Sequence, residues 1–168
     1  LNVAKASKKN PSGDIIYLDL SDAKLGDSEV AALAELTSLR RLTAPKKGLS
    51  DDHVKRLGNL RNLTSLGLWQ TRVGNDGLKP IGQLTKLSYL SVEGNRRVTN
   101  DGLAHLSNCR SLSWLGLSHT GVSDSGMRHL TGLSLDRLDL KGTKITDNGL
   151  DHIAKIRTLK SLTLTNTR

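Results

Sequence analysis

The sequence predicts an α/β solenoid, in which a parallel sheet lines one face and a row of short helices lines the other. Three observations predict it. An apolar phrase of the form Leu-x-x-Leu-x-Leu returns seven times, at steps of 23 to 25 residues. In six of the seven units a second phrase follows, an apolar residue, then Gly, Ser or Thr, then Asp or Asn. The 36% hydrophobic content is concentrated at these recurring positions. A fixed period of this length marks stacked repeats, each burying its apolar face only against its neighbours.

Taken in order, residues 1–13 carry Lys5, Lys8 and Lys9 and lack the repeat phrase, so they are expected to form an N-terminal arm or cap. Residues 14–168 form the repeat domain. The first apolar position of each unit is Ile15, Leu39, Leu63, Leu87, Leu112, Leu135 and Leu159. Three residues on come Leu18, Leu42, Leu66, Leu90, Leu115, Leu138 and Leu162, and two further on Leu20, Ala44, Leu68, Val92, Leu117, Leu140 and Leu164. Alternation over the second half of this phrase predicts a short strand with one buried face. The next apolar position is Leu25, Leu49, Val73, Val98, Val122 or Ile145. After it, Gly26-Asp27, Ser50-Asp51, Gly74-Asn75, Thr99-Asn100, Ser123-Asp124 and Thr146-Asp147 read as helix N-caps, whose side-chain oxygens would accept orphan amide hydrogens. About ten helical residues are expected after each cap. The chain begins with Leu1 and stops just after Leu159, Leu162 and Leu164, so the reading expects a longer protein, or a further subunit, at that uncapped edge.

These phrases, above all Thr143-Lys144-Ile145-Thr146-Asp147-Asn148-Gly149-Leu150, resemble the leucine-rich repeat family in its 24-residue short-helix subclass, of T-x-I-T-D-x-G-L type. Planctomycete-type bacterial repeats and the cysteine-containing repeats of F-box ubiquitin-ligase receptors are similar. The resemblance covers nearly all of residues 14–168. It implies a horseshoe arc of about seven repeats, with the sheet on the concave face and the helices on the convex face. It implies a shape and not an activity. The usual Asn or Cys ladder position reads as Thr71, Thr120, Thr143 and Thr167, with Ala23, Lys47 and Arg96 elsewhere, so a less regular ladder is expected there.

Function is then expected on the strands, at the positions between the buried leucines. These form four columns. The first is Tyr17, Arg41, Ser65, Tyr89, Trp114, Arg137 and Ser161, and the second is Asp19, Thr43, Gly67, Ser91, Gly116, Asp139 and Thr163. The third is Ser21, Pro45, Trp69, Glu93, Ser118, Lys141 and Thr165, and the fourth is Asp22, Lys46, Gln70, Gly94, His119, Gly142 and Asn166. All four aromatics of the chain, two Trp and two Tyr, fall in these columns. Aromatics ordinarily serve the core, so their confinement to one face points to recognition, where Trp, Tyr and Arg carry most binding energy. Trp69, Tyr89 and Trp114 are the expected anchors, with Tyr17, Arg41, Glu93, His119, Arg137 and Lys141 around them. Tyr89 and Trp114 should lie side by side, with Trp69 about 13 Å further along the strand direction. Gly67, Gly94 and Gly116 should leave room for a partner's side chain.

The net charge of +9 has another address, because the columns carry as many acids as bases. Lys24, Lys47, Arg72, Arg96, Arg97 and Lys144 fall just past the strands and are expected to form a basic rim. Such a stripe could meet nucleic acid, but single-strand binders interleave aromatics with their cations, and here the two sets fall on adjacent surfaces.

Other chemistry is not indicated. There is no phosphate-binding glycine loop, no H-E-x-x-H, and no cysteine paired with a placed histidine, so the chain reads as a non-enzyme. His105, His129 and His152 recur at one helix position, but helices packed ~8–10 Å apart cannot easily share an ion that needs ligands at ~2 Å, so no metal or cofactor is expected. Cys109 takes the place that Leu36, Leu60, Leu84, Leu133 and Ile156 hold elsewhere and reads as a buried small hydrophobe. A single cysteine forms no intrachain disulfide, which leans toward a reducing compartment such as the cytoplasm. No run long enough to span a membrane and no signal-peptide pattern is present in the sequence. The reading is a protein-recognition module. Its alternatives are the substrate-recognition part of a ubiquitin-ligase-type adaptor, and a surface for glycan or nucleic acid.

Overall fold

The computed structural model of the chain describes residues 7–168. The start of the N-terminal arm, with Lys5, lies outside the described residues. The strands are β1 (Ser7–Lys9), β2 (Ile15–Asp19), β3 (Arg41–Thr43), β4 (Ser65–Gly67), β5 (Tyr89–Ser91), β6 (Trp114–Gly116), β7 (Arg137–Asp139) and β8 (Ser161–Thr163). They form one eight-stranded sheet in chain order. From β2 to β8 every pairing is parallel and in the register of the repeat, so that Leu18, Leu42, Leu66, Leu90, Leu115, Leu138 and Leu162 stand side by side. β1 departs from the pattern. It pairs antiparallel with β2 and places Lys8 opposite Tyr17.

Between strands run α1 (Asp27–Ala34), α2 (Asp51–Leu57), α3 (Asn75–Ile81), α4 (Asn100–Ala104), α5 (Asp124–Met127) and α6 (Asp147–Ile153). They are shorter than ten residues. α4 and α5 pass directly into 3-10 turns, His105–Asn108 and Arg128–Leu130. A 24-residue unit leaves little length for the return, and Gly77, Gly102, Gly126 and Gly149 in the first turns lower helix propensity by ~1 kcal/mol each relative to Ala.

The space between sheet and helices is filled almost entirely by aliphatic side chains, with Cys109 and Met127 among them and no aromatic. A Leu fully buried in this way contributes ~1.5–3 kcal/mol. Cys109 sits among these residues as its register predicts. Among the described residues, no helix is long and apolar enough to cross a membrane.

Two expectations about polar ladders are corrected. The N-cap residues Gly26, Ser50, Gly74, Thr99 and Ser123 make no side-chain cap bond, and only Thr146 does, to the Asn148 amide. The Asp or Asn after each of the first five caps reaches instead to the next repeat. Asp51 accepts from the Gly74 amide at 2.6 Å, Asn75 from Thr99 at 2.8 Å, Asn100 from Ser123 at 2.9 Å and Asp124 from Thr146 at 2.8 Å. The row is therefore a tie between repeats. It is made possible by the glycines two to three residues further on, since a Cβ at Gly77, Gly102 or Gly149 would come within 2.7, 2.6 or 2.5 Å of the Asp or Asn oxygen. Where His53 replaces glycine the tie changes, and Asp27 pairs with His53 Nε2 at 3.0 Å.

The second correction concerns the ladder after the strands. Thr71, Thr120, Thr143 and Thr167 each donate a hydroxyl to the carbonyl three residues back, as a ladder position should. In the fourth unit that position belongs to Asn95 and not to Arg96. Buried Asn95 donates to the Leu68 and Val92 carbonyls and accepts from Thr71 Oγ1. The 25-residue step places its extra residue after the ladder, so counting from the following repeat misassigns it.

Candidate functional site

The pleat sends the buried leucines toward the helices and the intervening residues to the other side of the sheet. Because pairing is in register, the first column is a physical row: Tyr17, Arg41, Ser65, Tyr89, Trp114, Arg137 and Ser161 are successive cross-strand neighbours. Neighbours in such a row lie ~4.8 Å apart at the backbone, so each side chain stands beside the next.

At its centre Tyr89 and Trp114 stack, with ring centroids 4.3 Å apart and planes 10° from parallel. Burial first, and then the charge of Glu93, raise the Tyr89 phenol above its ordinary pKa, which keeps it a neutral hydrogen-bond donor. Glu93 accepts from Ser91 Oγ at 3.0 Å. Both tryptophans are partly buried, as is Tyr89.

The expected gaps are filled. A Cβ on Gly67 would come within 2.6 Å of the Trp69 ring, and one on Gly116 would strike the Trp114 ring and meet Glu93 Oε1 at 2.5 Å. Gly94 is covered by Gln70, whose Cγ would lie 2.8 Å from a Cβ there. The glycines make room for the repeat's own side chains. Each tryptophan lies down on the strand glycine two residues from it, because a flat ring gains contact only where no Cβ intervenes. This also corrects the position of Trp69. Its ring folds back to Gly67, two strands from Gly116 in one row, so it stands closer to Trp114 than strand length alone predicts. The resulting floor is Trp69, Tyr89 and Trp114 around Ser91.

Around that floor, Arg41, Arg137, Lys141 and His119 are exposed, and Tyr17 and Glu93 are half-buried. Asp139 accepts from the Lys141 amide at 2.9 Å, which fixes the turn leaving β7. His119 adopts a left-handed backbone (φ 55°), and its ring lies on Gly142. Gln70 and Asn166 share that conformation, with Gly94 and Gly142 between them. In the second repeat the left-handed residue is Lys47 and not Lys46, so Pro45 displaces the turn by one position.

All six rim cations, Lys24, Lys47, Arg72, Arg96, Arg97 and Lys144, are exposed along the edge where the strands end. Arg97 is tied to Asp51 at 3.4 Å. The first turn of each of the six helices carries an acid, including Asp51, Asp52, Asp76, Asp101 and Asp124. Opposite charge thus recurs beside the stripe, and at Arg97 it is in direct contact. Among the described residues, no group of three or more His, Cys, Asp or Glu side chains is placed to hold a metal ion.

Sequence reasoning missed one member of the row. Lys8 on β1 pairs with Tyr17 and so extends the first column by one strand. β1 lies outside the repeat and runs antiparallel, so periodicity carries no signal for it.

An in-register parallel sheet of one strand per 24 residues, with a leucine row facing short helices, decides the architecture. It is a leucine-rich repeat solenoid. The family model for the leucine-rich repeat matches residues 133–154. Among solved structures, internalin C2 of Listeria monocytogenes is 31% identical with a TM-score of 0.65, covering 81% of this chain and 56% of that one. The Arabidopsis receptor kinase HAESA, solved with the peptide hormone IDA and the co-receptor SERK1, is 18% identical with a TM-score of 0.69, over 99% of this chain and 29% of that one. A second Listeria internalin, internalin F, is 19% identical with a TM-score of 0.52, over 97% of this chain and 59% of that one. At 18% and 19% identity the latter two speak for the fold alone. The chain spans little more than half of the internalins' length. No curated protein matches the sequence.

Proposed function

We propose that this leucine-rich repeat domain is a non-catalytic module that binds a protein partner on the outer face of its sheet, with Trp69, Tyr89 and Trp114 as anchors. One observation carries the reading: the core holds no aromatic, while both tryptophans and Tyr89 form one floor on the face away from the helices. A partner laid on that floor would desolvate flat aromatic surface at little entropic cost, as binding hot spots do. Arg41, Glu93, His119, Arg137 and Lys141 would supply polar contacts at its margins. HAESA, whose structure holds a peptide hormone and a co-receptor, supports peptide or protein recognition as a use of this fold. The rim of Lys24, Lys47, Arg72, Arg96, Arg97 and Lys144 is the weaker surface, because acids border it.

The test is affinity capture from a lysate of the source organism by the wild type, by a Trp69→Ala/Trp114→Ala variant and by an Arg72→Gln/Lys144→Gln variant, each with its melting temperature measured. A protein retained by the wild type and the rim variant but lost by the aromatic variant supports the reading. Equal capture by wild type and aromatic variant refutes it.

A further inference from the structure

Resting on that reading, we infer that the same face carries an acidic-peptide site at its N-terminal end, formed by Lys8, Arg40 and Arg41 around Tyr17. β1 brings Lys8 opposite Tyr17, and β3 brings Arg41 opposite Tyr17 from the other side. Two cations therefore flank one phenol in a single row across three strands, and Arg40 adjoins them at the start of β3. Together with Ile16 and Thr64 these residues line an open hollow of about 380 Å³. None of the six lining residues is acidic. All three cations are exposed, and among the described residues none is in a salt bridge, whereas Lys79, Arg97 and Lys160 each have a carboxylate. The nearby carboxylate Asp19 is turned to the Ser21 amide at 3.0 Å. Like charges held together without a counter-ion repel, and a partner's carboxylates would relieve that repulsion while using the fork geometry of two guanidinium groups.

The row also fixes the spacing of what binds. Tyr89 stands two strands beyond Arg41 and Trp114 three, so ~10–14 Å separate the cations from the aromatic stack. An extended peptide crossing the strands covers that distance in about three to four residues. The occupant is therefore an acidic segment of a protein partner, a Glu or Asp pair followed three to four residues later by an apolar or aromatic side chain. Nucleic acid fits less well, since Ser65, Tyr89 and Trp114 separate Arg41 from Arg137, the next cation of the row, so the cations do not track a continuous phosphate backbone.

Both tryptophans of the chain lie on this face, so their fluorescence reports on it directly. The probes are two synthetic peptides, one with Glu-Glu three residues before Leu-Leu and one with ten residues between the pairs, and an oligothymidylate of matched charge. We expect the short-spaced peptide to perturb the fluorescence and to bind at least tenfold more tightly than the long-spaced one. Arg40→Gln/Arg41→Gln should weaken it tenfold or more with an unchanged melting temperature, because both side chains are exposed, and added salt should weaken it further. Arg72→Gln/Lys144→Gln should leave it unaltered. Equal affinity in the Arg40→Gln/Arg41→Gln variant, no binding by either peptide at about 1 mM, or tighter binding of the oligothymidylate overturns the inference. Loss on Arg40→Gln/Arg41→Gln with none on Trp114→Ala sustains the acidic site and refutes the aromatic anchors. The converse pattern sustains the anchors and refutes the acidic site.

Discussion

At the scale of the residue, identical sequence neighbourhoods lead to different chemistry because the register decides which side chain meets water. Cys109 was legible from the repeat alone, since its position holds leucine in four other units and isoleucine in a fifth. Its thiol is buried, donates to the Ile81 carbonyl at 3.6 Å and is held protonated by burial, which pushes its pKa to about 11. Only the thiolate attacks alkylating reagents. Iodoacetamide at pH 8 should therefore leave the folded protein unmodified and label it once urea unfolds it, and rapid labelling of the native protein would place the thiol outside the core. Trp114 was legible as a face residue but not in its packing. Its stack on Tyr89 and its seat on Gly116 mean that truncation removes an aromatic pair worth ~0.5–1.5 kcal/mol. Trp114→Ala should lower stability by about 1 kcal/mol in urea titration and weaken partner binding by ~2 kcal/mol or more. A stability loss above ~4 kcal/mol would make it a core residue.

At the scale of the element, the sequence shows where each helix starts but not what holds the start in place. An Asp or Asn beside a Ser or Thr looks the same whether it caps its own helix or reaches to its neighbour, and the difference depends on the space above a glycine in the next unit. Gly102→Ala tests this. On helix propensity alone the change would stabilise by ~1 kcal/mol. With the Asn75 oxygen 2.6 Å from the new Cβ, it should instead break the bond to the Thr99 amide and destabilise by ~1–3 kcal/mol. The sign of the shift in the urea midpoint decides between a self-capped helix and a tie between repeats. Asp124 gives the tie a pH dependence. The Thr146 amide, with its hydroxyl, holds the Asp124 carboxyl below its ordinary pKa. A depressed carboxylate contributes stability that is present above its unfolded pKa, ~3.9, and is lost as pH falls through the lower folded value. Asp124→Asn keeps an amide acceptor, as Asn75 and Asn100 do in their repeats. The variant should be slightly less stable than wild type at pH 7, with the difference shrinking as pH falls below the unfolded value, and a constant difference through the acid range would show that the carboxylate charge is not coupled to folding.

At the scale of the whole molecule, the fold was legible almost completely, because a period of 24 residues leaves one architecture in which seven stacked leucine phrases close a core. What periodicity could not show lies where the period fails: β1, the turn at Pro45, and the insertion after Asn95. A solenoid's stability is a sum over neighbours, so a residue's worth depends on whether it has one neighbour or two. Leu90 on β5 is fully buried between β4 and β6, while its counterpart Leu162 on β8 is 36% exposed and has a strand on one side only. Leu159 and Leu162 also line an open apolar hollow with Leu150, Ile153 and Ile156. Leu90→Ala should cost ~2–5 kcal/mol, the value for a buried leucine, and Leu162→Ala well under half of that. Amide exchange should follow the same gradient, with protection greatest in β4 to β6 and least in β8. If Leu162→Ala costs as much as Leu90→Ala, and β8 amides are as protected as those of β5, the edge is covered in solution, by a second copy or by further repeats. In that case both quantities should depend on protein concentration if a second copy is responsible, and be independent of it if further repeats are.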